Sequence, residues 1–220
     1  MRSLREEMRS MRLSYSQFGE DLVVRSHFAE FDNPTGRFID VGAFHPFQYS
    51  NTMLLSKLGW RGINIDCDPV KIARFEKLRP NDQNICAAVA EIVGDMILLE
   101  YAEGTNTRIA DPRETNLFSA CGEEPLKMTP IKVTTLTDVI EQSVFRAQHF
   151  HYLNVDCEGK DLSVLKGLDF ARYSPDLITV EALTKTAQAE LTAFLGGHGY
   201  ALTDVVRLTL FFKKRPTLAV

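Results

Sequence analysis

Arg37-Phe38-Ile39-Asp40-Val41-Gly42-Ala43 is the stretch on which the fold turns. A short apolar run that ends on a small-residue turn reads as a strand buried on both faces. Gly62-Ile63-Asn64-Ile65-Asp66 repeats the pattern. Between the two, Ser50-Asn51-Thr52 precedes Met53, Leu54, Leu55 and Leu58, with Gly59 as the stop, so a helix is expected there with Ser50 or Asn51 as its N-cap. Strand, helix and strand in that order make a βαβ unit and a parallel sheet.

Working outward, Pro69 suits the first turn of a helix through Ile72, Phe75 and Leu78, ended by Pro80. Strands are expected over residues 85–90, 96–101, 131–135, 151–155 and 176–181, and a final pair over 200–206 and 208–213. Helical spacing covers 136–142, a stretch through Leu162 and Leu165 to Gly167, and 184–195, the last closed by Gly196-Gly197. The class is α/β: a doubly wound, mostly parallel sheet with helices on both faces. Residues 102–130 lose all periodicity around Gly104, Pro112, Gly122, Pro125 and Pro130. An irregular insertion of that length suits a substrate-facing lid, with Asn116 and Phe118 on the acceptor side.

The chain has 220 residues, 45% hydrophobic and 25% charged, which fits one domain over residues 15–215 behind an N-terminal extension, residues 1–14. The extension interleaves Arg2, Arg5, Arg9 and Arg12 with Glu6 and Glu7 and carries no apolar signal core. A net charge of -4 argues against a nucleic-acid partner, and no apolar run is long enough for a membrane span. Cys67, Cys86, Cys121 and Cys157 stand apart with no metal-ligand spacing, as expected of reduced thiols in a cytoplasmic protein.

In open α/β sheets ligands bind beyond the carboxyl ends of the strands. Those ends here carry Asp40, Asp66 and Asp68, Asp156 and Glu158, and Glu181. Carboxylates gathered at one edge repel one another unless they surround a cation or a metal; each alone could equally cap a helix. Asp66, ending the second strand, is placed to bind ribose hydroxyls. Asp40-Val41-Gly42-Ala43-Phe44-His45-Pro46 lacks the G-x-G-x-x-G of dinucleotide binders, so a nucleoside cofactor without pyrophosphate fits better than a nicotinamide dinucleotide. S-adenosylmethionine is such a ligand, and its positive charges would explain the acids. A metal site of His149, His151 and Asp156 is the weaker reading, and no metal is expected. Phe44, Phe47, Tyr49 and Trp60 read as core more than as a stacking platform for a sugar.

The residues also carry a resemblance. Tyr15-Ser16-Gln17-Phe18-Gly19-Glu20-Asp21, Phe38-Ile39-Asp40-Val41-Gly42-Ala43, Ser50-Asn51-Thr52, Gly59-Trp60-Arg61-Gly62-Ile63-Asn64-Ile65-Asp66, Leu153-Asn154-Val155-Asp156-Cys157-Glu158-Gly159 with Val164-Leu165-Lys166-Gly167, and Val180-Glu181 occur in that order. In this the chain resembles the FkbM-type S-adenosylmethionine-dependent methyltransferases from about Tyr15 to Arg215. His45-Pro46 and Cys157 depart from the usual pattern. The resemblance implies a Rossmann-like seven-stranded sheet and O-methylation of a sugar, glycan or related small-molecule hydroxyl. It makes Asp40, Gly42 and Ala43 the turn under the methionine part, Asp66 the ribose ligand, and Asp156 and Glu158 the wall nearest the methyl group. Asn51, Cys67 and Gln17 complete the expected cofactor contacts, and the helix opened by residues 50–52 offers its N–H groups to the cofactor carboxylate. Glu158, Asp156 and His45 are the candidate bases. A nicotinamide-dependent oxidoreductase and an inactive cofactor-binding module are the alternatives.

Overall fold

The computed structural model describes residues 7–8, 10–28, 35–100, 108–110 and 124–216. Alternation along its strands separates two kinds of surface. In β1 (Arg37–Val41), Ile39 and Val41 face one side and Phe38 and Asp40 the other, and β2 (Arg61–Asp66) repeats this with Ile63 and Ile65 against Asn64 and Asp66. The first side is wholly apolar. It packs Ile39, Val41, Ile63, Ile65, Leu153, Val155, Ile178 and Val180 under α4 (Leu136–Glu141), α5 (Asp161–Lys166) and α6 (Lys185–Gly197). On the second side a smaller apolar cluster gathers Phe38, Tyr152, Leu177 and Phe211 with Val24 and Leu55 from α1 (Glu20–His27) and α2 (Met53–Lys57).

The main sheet has seven strands. Besides β1 and β2 it contains β3 (Gln83–Cys86), β8 (Tyr152–Val155), β9 (Leu177–Glu181), β10 (Tyr200–Val206) and β11 (Thr209–Lys214), in the order β10-β11-β9-β8-β1-β2-β3. All run parallel except β11, which is antiparallel to both its neighbours. The order reverses between β1 and β8, so the crevice of the doubly wound sheet opens there. Gly42 permits this junction. Its φ is +77, and a Cβ on it would lie 1.8 Å from the backbone oxygen of Asp156, so the ends of β1 and β8 approach only because no side chain stands between them.

Helix starts follow the sequence closely. Asp68 accepts the Val70 N–H ahead of Pro69 at the head of α3 (Pro69–Leu78), and Thr135 and Thr184 cap α4 and α6 in the same way. Three expectations need correction. First, the strand expected over 85–90 splits into β3 and β4 (Ala88–Val89), and β4 joins a second sheet in the order β4-β7-β5-β6 with β5 (Gly94–Glu100), β6 (Arg108–Ala110) and β7 (Lys127–Thr134). Residues 102–130 are therefore not irregular throughout. Pro130 pairs with Ile97 inside β7, whose other edge pairs with β4 only at Val133 and Thr134, so the missing proline donor is tolerated. Asn116 and Phe118 lie outside the described residues. Second, α6 runs through Gly196 and Gly197 and ends before Gly199, which supplies the positive φ of +84. Third, α2 spans only five residues, and its N-cap position is Thr52 rather than Ser50 or Asn51, with no capping bond from the Thr52 side chain.

Candidate active site

Two successive rows of side chains on the second face of the sheet build the site. The inner row crosses five neighbouring strands as Asn84, Asn64, Asp40, Asn154 and Thr179, which are register partners in turn. It is hydrogen-bonded side to side: Asn64 Nδ2 to Asn84 Oδ1 at 2.8 Å, Asn154 Nδ2 to Asp40 Oδ1 at 2.9 Å, and Thr179 Oγ1 to Asn154 Oδ1 at 2.7 Å. Thr52 donates to Asp40 Oδ2 at 2.7 Å and accepts from Arg79 Nη1 at 2.9 Å, while Arg79 Nε donates to Asp82 Oδ2 at 2.8 Å. The Arg79 guanidinium lies over the rings of Phe38 and Phe75. Burial raises the Asp40 pKa; the hydrogen bonds from Thr52 and Asn154 and the Arg79 charge work against that.

Two residues further along the same strands, and so on the same face, stands the outer row: Asp66, Gly42, Asp156 and Glu181. These line a cavity of about 500 Å³ together with Asp40, Asn51 and Glu158. Asn51 is 8% exposed; its Nδ2 donates to Asn154 Oδ1 at 3.1 Å, and its Oδ1 has no partner among the described residues. Glu181 Oε2 is likewise buried with no donor. Asp156 is exposed at the open cavity, among the other acids of the strand ends. Desolvation by the protein around it, then the charges of Glu181, Asp161, Glu158 and Asp40, raise its pKa well above the carboxylate range. Burial and the neighbouring acids push Glu181 up to about 7. Burial also raises Glu158, with the Lys71 charge opposing. Glu158 holds φ +50, uncommon for a residue with a side chain.

Asp66 is 6% exposed, and both its oxygens already serve the loops: Oδ2 accepts from Phe44 N–H at 3.1 Å and Oδ1 from Asp68 N–H at 2.9 Å, with Lys71 Nζ 3.7 Å away. A carboxylate keeps further lone pairs for a ligand hydroxyl. The Cys67 thiol is pushed up to about 12 by burial, and Cys157 is raised well above its usual value, so neither is a thiolate near neutrality.

Of the residues expected from sequence, Gln17, Asp40, Gly42, Ala43, Asn51, Asp66, Cys67, Asp156 and Glu158 all line this one cavity. His45 does not. Its Nδ1 accepts the N–H groups of Phe47 at 3.2 Å and Gln48 at 3.0 Å, so it closes the turn after β1. His149 and His151 do not approach Asp156: they lie near Asp176, at the start of β9 and so at the other end of the sheet. Ser50 Oγ takes the Met53 N–H at 3.1 Å, one of the groups expected to remain free for a ligand. Gln17 is held in place because Asp21, fully buried, accepts from Ser14 Oγ, Tyr15 N–H and Ser16 Oγ. Trp60 is core, as expected, but Tyr49 is 51% exposed at the cavity and stacks with Phe44. Phe18, Lys71, Lys160, Leu208 and Thr209 also line the cavity and were missed. For the last two the signal was present: they follow the turn between the final strands, at the same sheet edge as Glu181.

A model of the methyltransferase FkbM domain matches residues 40–202. The chain belongs to that family. It is a methyltransferase, and its methyl donor is S-adenosylmethionine. No curated protein sequence matches it significantly. Among solved structures it is similar to a TehB-like SAM-dependent methyltransferase from Corynebacterium glutamicum, with 13% identity over 97% of this chain and 95% of that one and a TM-score of 0.47. It is also similar to a precorrin-6y C5,15-methyltransferase from Geobacter metallireducens, with 12% identity over 86% and 85% and a TM-score of 0.42. A delta-N METTL16 MTase domain gives 12% identity over 89% and 84% and a TM-score of 0.40. Among the described residues no helix is long and apolar enough to cross a membrane.

Proposed function

We propose that this FkbM-family methyltransferase transfers a methyl group to a hydroxyl of a sugar, glycan or related small molecule, using residues 15–215 as one catalytic domain. One observation carries the reading: the cavity at the β1/β8 junction joins an apolar wall of Ile65, Ala87 and Val89 to the carboxylates Asp66, Asp156, Glu158 and Glu181 and the unpartnered Asn51 Oδ1. A ligand with a flat heteroaromatic end and a positively charged end satisfies both walls. Asp66 would hold the ribose hydroxyls. Asn51 Oδ1 would accept from the ammonium group, with Asp40, Gly42 and Ala43 beneath it and Gln17 folding over the top. Cys67 packs at the ribose side. Bound there, S-adenosylmethionine supplies an electrophilic methyl group. The chain's own part is to hold the acceptor in line with it, exclude water and take the hydroxyl proton.

Asp156 and Glu158 face the space where that hydroxyl would enter, whereas the Nδ1 of His45 is engaged in its turn. The exposed ring of Tyr49, stacked on Phe44, and the half-exposed ring of Phe18 give the mouth flat apolar surfaces of the kind that cover a sugar ring. The net charge of -4 favours a neutral acceptor over nucleic acid, and the free thiols Cys67, Cys86 and Cys157 suit the reducing cytoplasm. Incubating the protein with S-adenosylmethionine and a panel of glycans and small alcohols, then following a 14-dalton gain by mass spectrometry, tests the reading. Methylation of amine or thiol acceptors only, with every hydroxyl unchanged, would overturn it.

A further inference from the structure

A carboxylate beside the acceptor can take its proton only if it is ionised at that moment, and the outer row bears on how that is arranged. Asp156 ends β8 and Glu181 ends β9, neighbouring parallel strands on which Val155 and Val180 are register partners. Both side chains line the same wall of the cavity, and Glu181 Oε2 is buried there with no donor among the described residues. Two neighbouring acids at one sheet edge repel when both are ionised, and a single proton held by the pair relieves that repulsion. The geometry therefore favours one carboxylic acid and one carboxylate at the wall of the cavity. The pair stands beside Asn51, whose Oδ1 points to a ligand independently of any acid.

Resting on the cofactor reading above, we propose that the Asp156–Glu181 pair senses the positive charge of the methyl donor: it gives up its one proton when that cation binds, and takes the acceptor's hydroxyl proton as the cation is discharged.

The charges around the pair support this. Facing it are Glu158 and Asp161 from the β8–α5 loop and the head of α5, and Asp40 from β1, all acidic. The cations lining the cavity are Lys71 on α3, which stands 3.7 Å from Asp66 Oδ2 and opposes the raised pKa of Glu158, and Lys160. The elements packed on the other side, β11 and the turn before it, contribute Thr209 and Leu208 to the cavity, which carry no charge, while Arg207 of the same turn lies over the Phe18 ring at the cavity. Full ionisation of the pair thus awaits a cation from outside, and Glu181 near 7 makes the exchange accessible at neutral pH.

The balance closes. With donor bound, the pair carries two negative charges and the sulfonium one positive, a sum of minus one. As the acceptor's oxygen–carbon bond forms, the electron pair of the breaking sulfur–carbon bond stays on sulfur, which becomes neutral. The acceptor's proton moves to the pair, leaving one negative charge and the same sum. The base is created by donor binding and quenched by the same event that removes the methyl group.

Calorimetry of the wild-type protein with S-adenosylmethionine and with S-adenosylhomocysteine, each in buffers of different ionisation enthalpy, tests this without an acceptor. The expected result is release of about one proton on binding the sulfonium near pH 6.5, fading by about pH 9, and close to none on binding the thioether. In Glu181→Gln the release disappears, and affinity for S-adenosylmethionine drops about tenfold while S-adenosylhomocysteine binds as before. Glu181→Asp, which keeps the acid, restores part of the release if the glutamine variant folds poorly. Equal proton release with both ligands, none with either while both bind, or an unchanged release in Glu181→Gln overturns the proposal and leaves the cofactor reading standing. Failure of both ligands to bind overturns the two together.

Discussion

In the row through Asn84, Asn64, Asp40, Asn154 and Thr179, every side chain is hydrogen-bonded within the sheet or to Asn51, Thr52 and Asp82, and among their polar atoms Asn64 Oδ1 is buried without a partner. Two residues further along the same strands, on the same face, the acids Asp156 and Glu181 stand side by side on one wall of the cavity, and Glu181 Oε2 and Asn51 Oδ1 are unpartnered among the described residues. The rows differ in how far neighbouring side chains are hydrogen-bonded to one another, not in polarity. A satisfied buried network fixes strand register, whereas unsatisfied groups beside it hold a binding capacity at the expense of stability. The inner row is thus the foundation and the outer row the tool.

Breaking the inner row should have the largest effect. Asn154→Ala removes a donor to Asp40 and the acceptor used by Asn51 and Thr179, all buried, and should lower unfolding free energy by about 3 kcal/mol in urea titration. A loss under 1 kcal/mol would mean that the rows are not distinct. In the outer row, Asp66→Ala should weaken S-adenosylmethionine by about 2 kcal/mol, read by calorimetry, while unfolding stays cooperative; an unchanged dissociation constant removes Asp66 from the ribose site.

The next effect is on pH. Asp161, raised to about 6, and Glu181, raised to about 7, bind protons more tightly folded than unfolded. Between their unfolded values near 4 and these folded values the native state holds more protons, so stability must fall as pH rises through that window. The ligand-free protein should be about 1–2 kcal/mol more stable at pH 5 than at pH 8, with Glu181→Gln flattening the slope. A stability that rises from pH 5 to pH 8 would contradict the outer row as described. Smallest is His45→Ala, which loses two acceptor bonds to backbone N–H groups in a turn. It should cost about 1 kcal/mol in thermal unfolding and leave cofactor affinity unchanged; a large loss of turnover would return His45 to the candidates for base.

Much of this was legible in the chain. Strand ends rich in acid and the glycine after Asp40-Val41 are local signals, and local physics placed them correctly; the start of the following helix was legible too, though its N-cap falls on Thr52 and not on Ser50 or Asn51. What could not be read depends on register between distant strands. Nothing in Val180-Glu181 alone says that it lies beside Val155-Asp156, and Asn84 and Thr179 look like ordinary strand residues until five strands align them. Pro130 masked β7 because a proline suggests a loop unless the open edge of the strand is known. His149 and His151 misled for the opposite reason: closeness in sequence to Asp156 says little when a strand four residues long carries the chain to the other end of the sheet.

The cavity takes its walls from nearly the full span of the chain, from Gln17 and Phe18 to Leu208 and Thr209, and Arg207 lies over the Phe18 ring, 5.2 Å from its centre. Its closing piece, β11, slides between β9 and β10 against the direction of both, so Glu181 meets its partner Thr209 only after β10 has been made. On a ribosome that order has a price in time. Synthesis runs at roughly 5–20 residues per second, and residues 1–181 are complete well before residue 209 leaves the exit tunnel. For those seconds the nascent chain shows its acids to water without the hairpin that encloses them, and its site is whole only once the strand that begins at residue 209 has emerged and joined it.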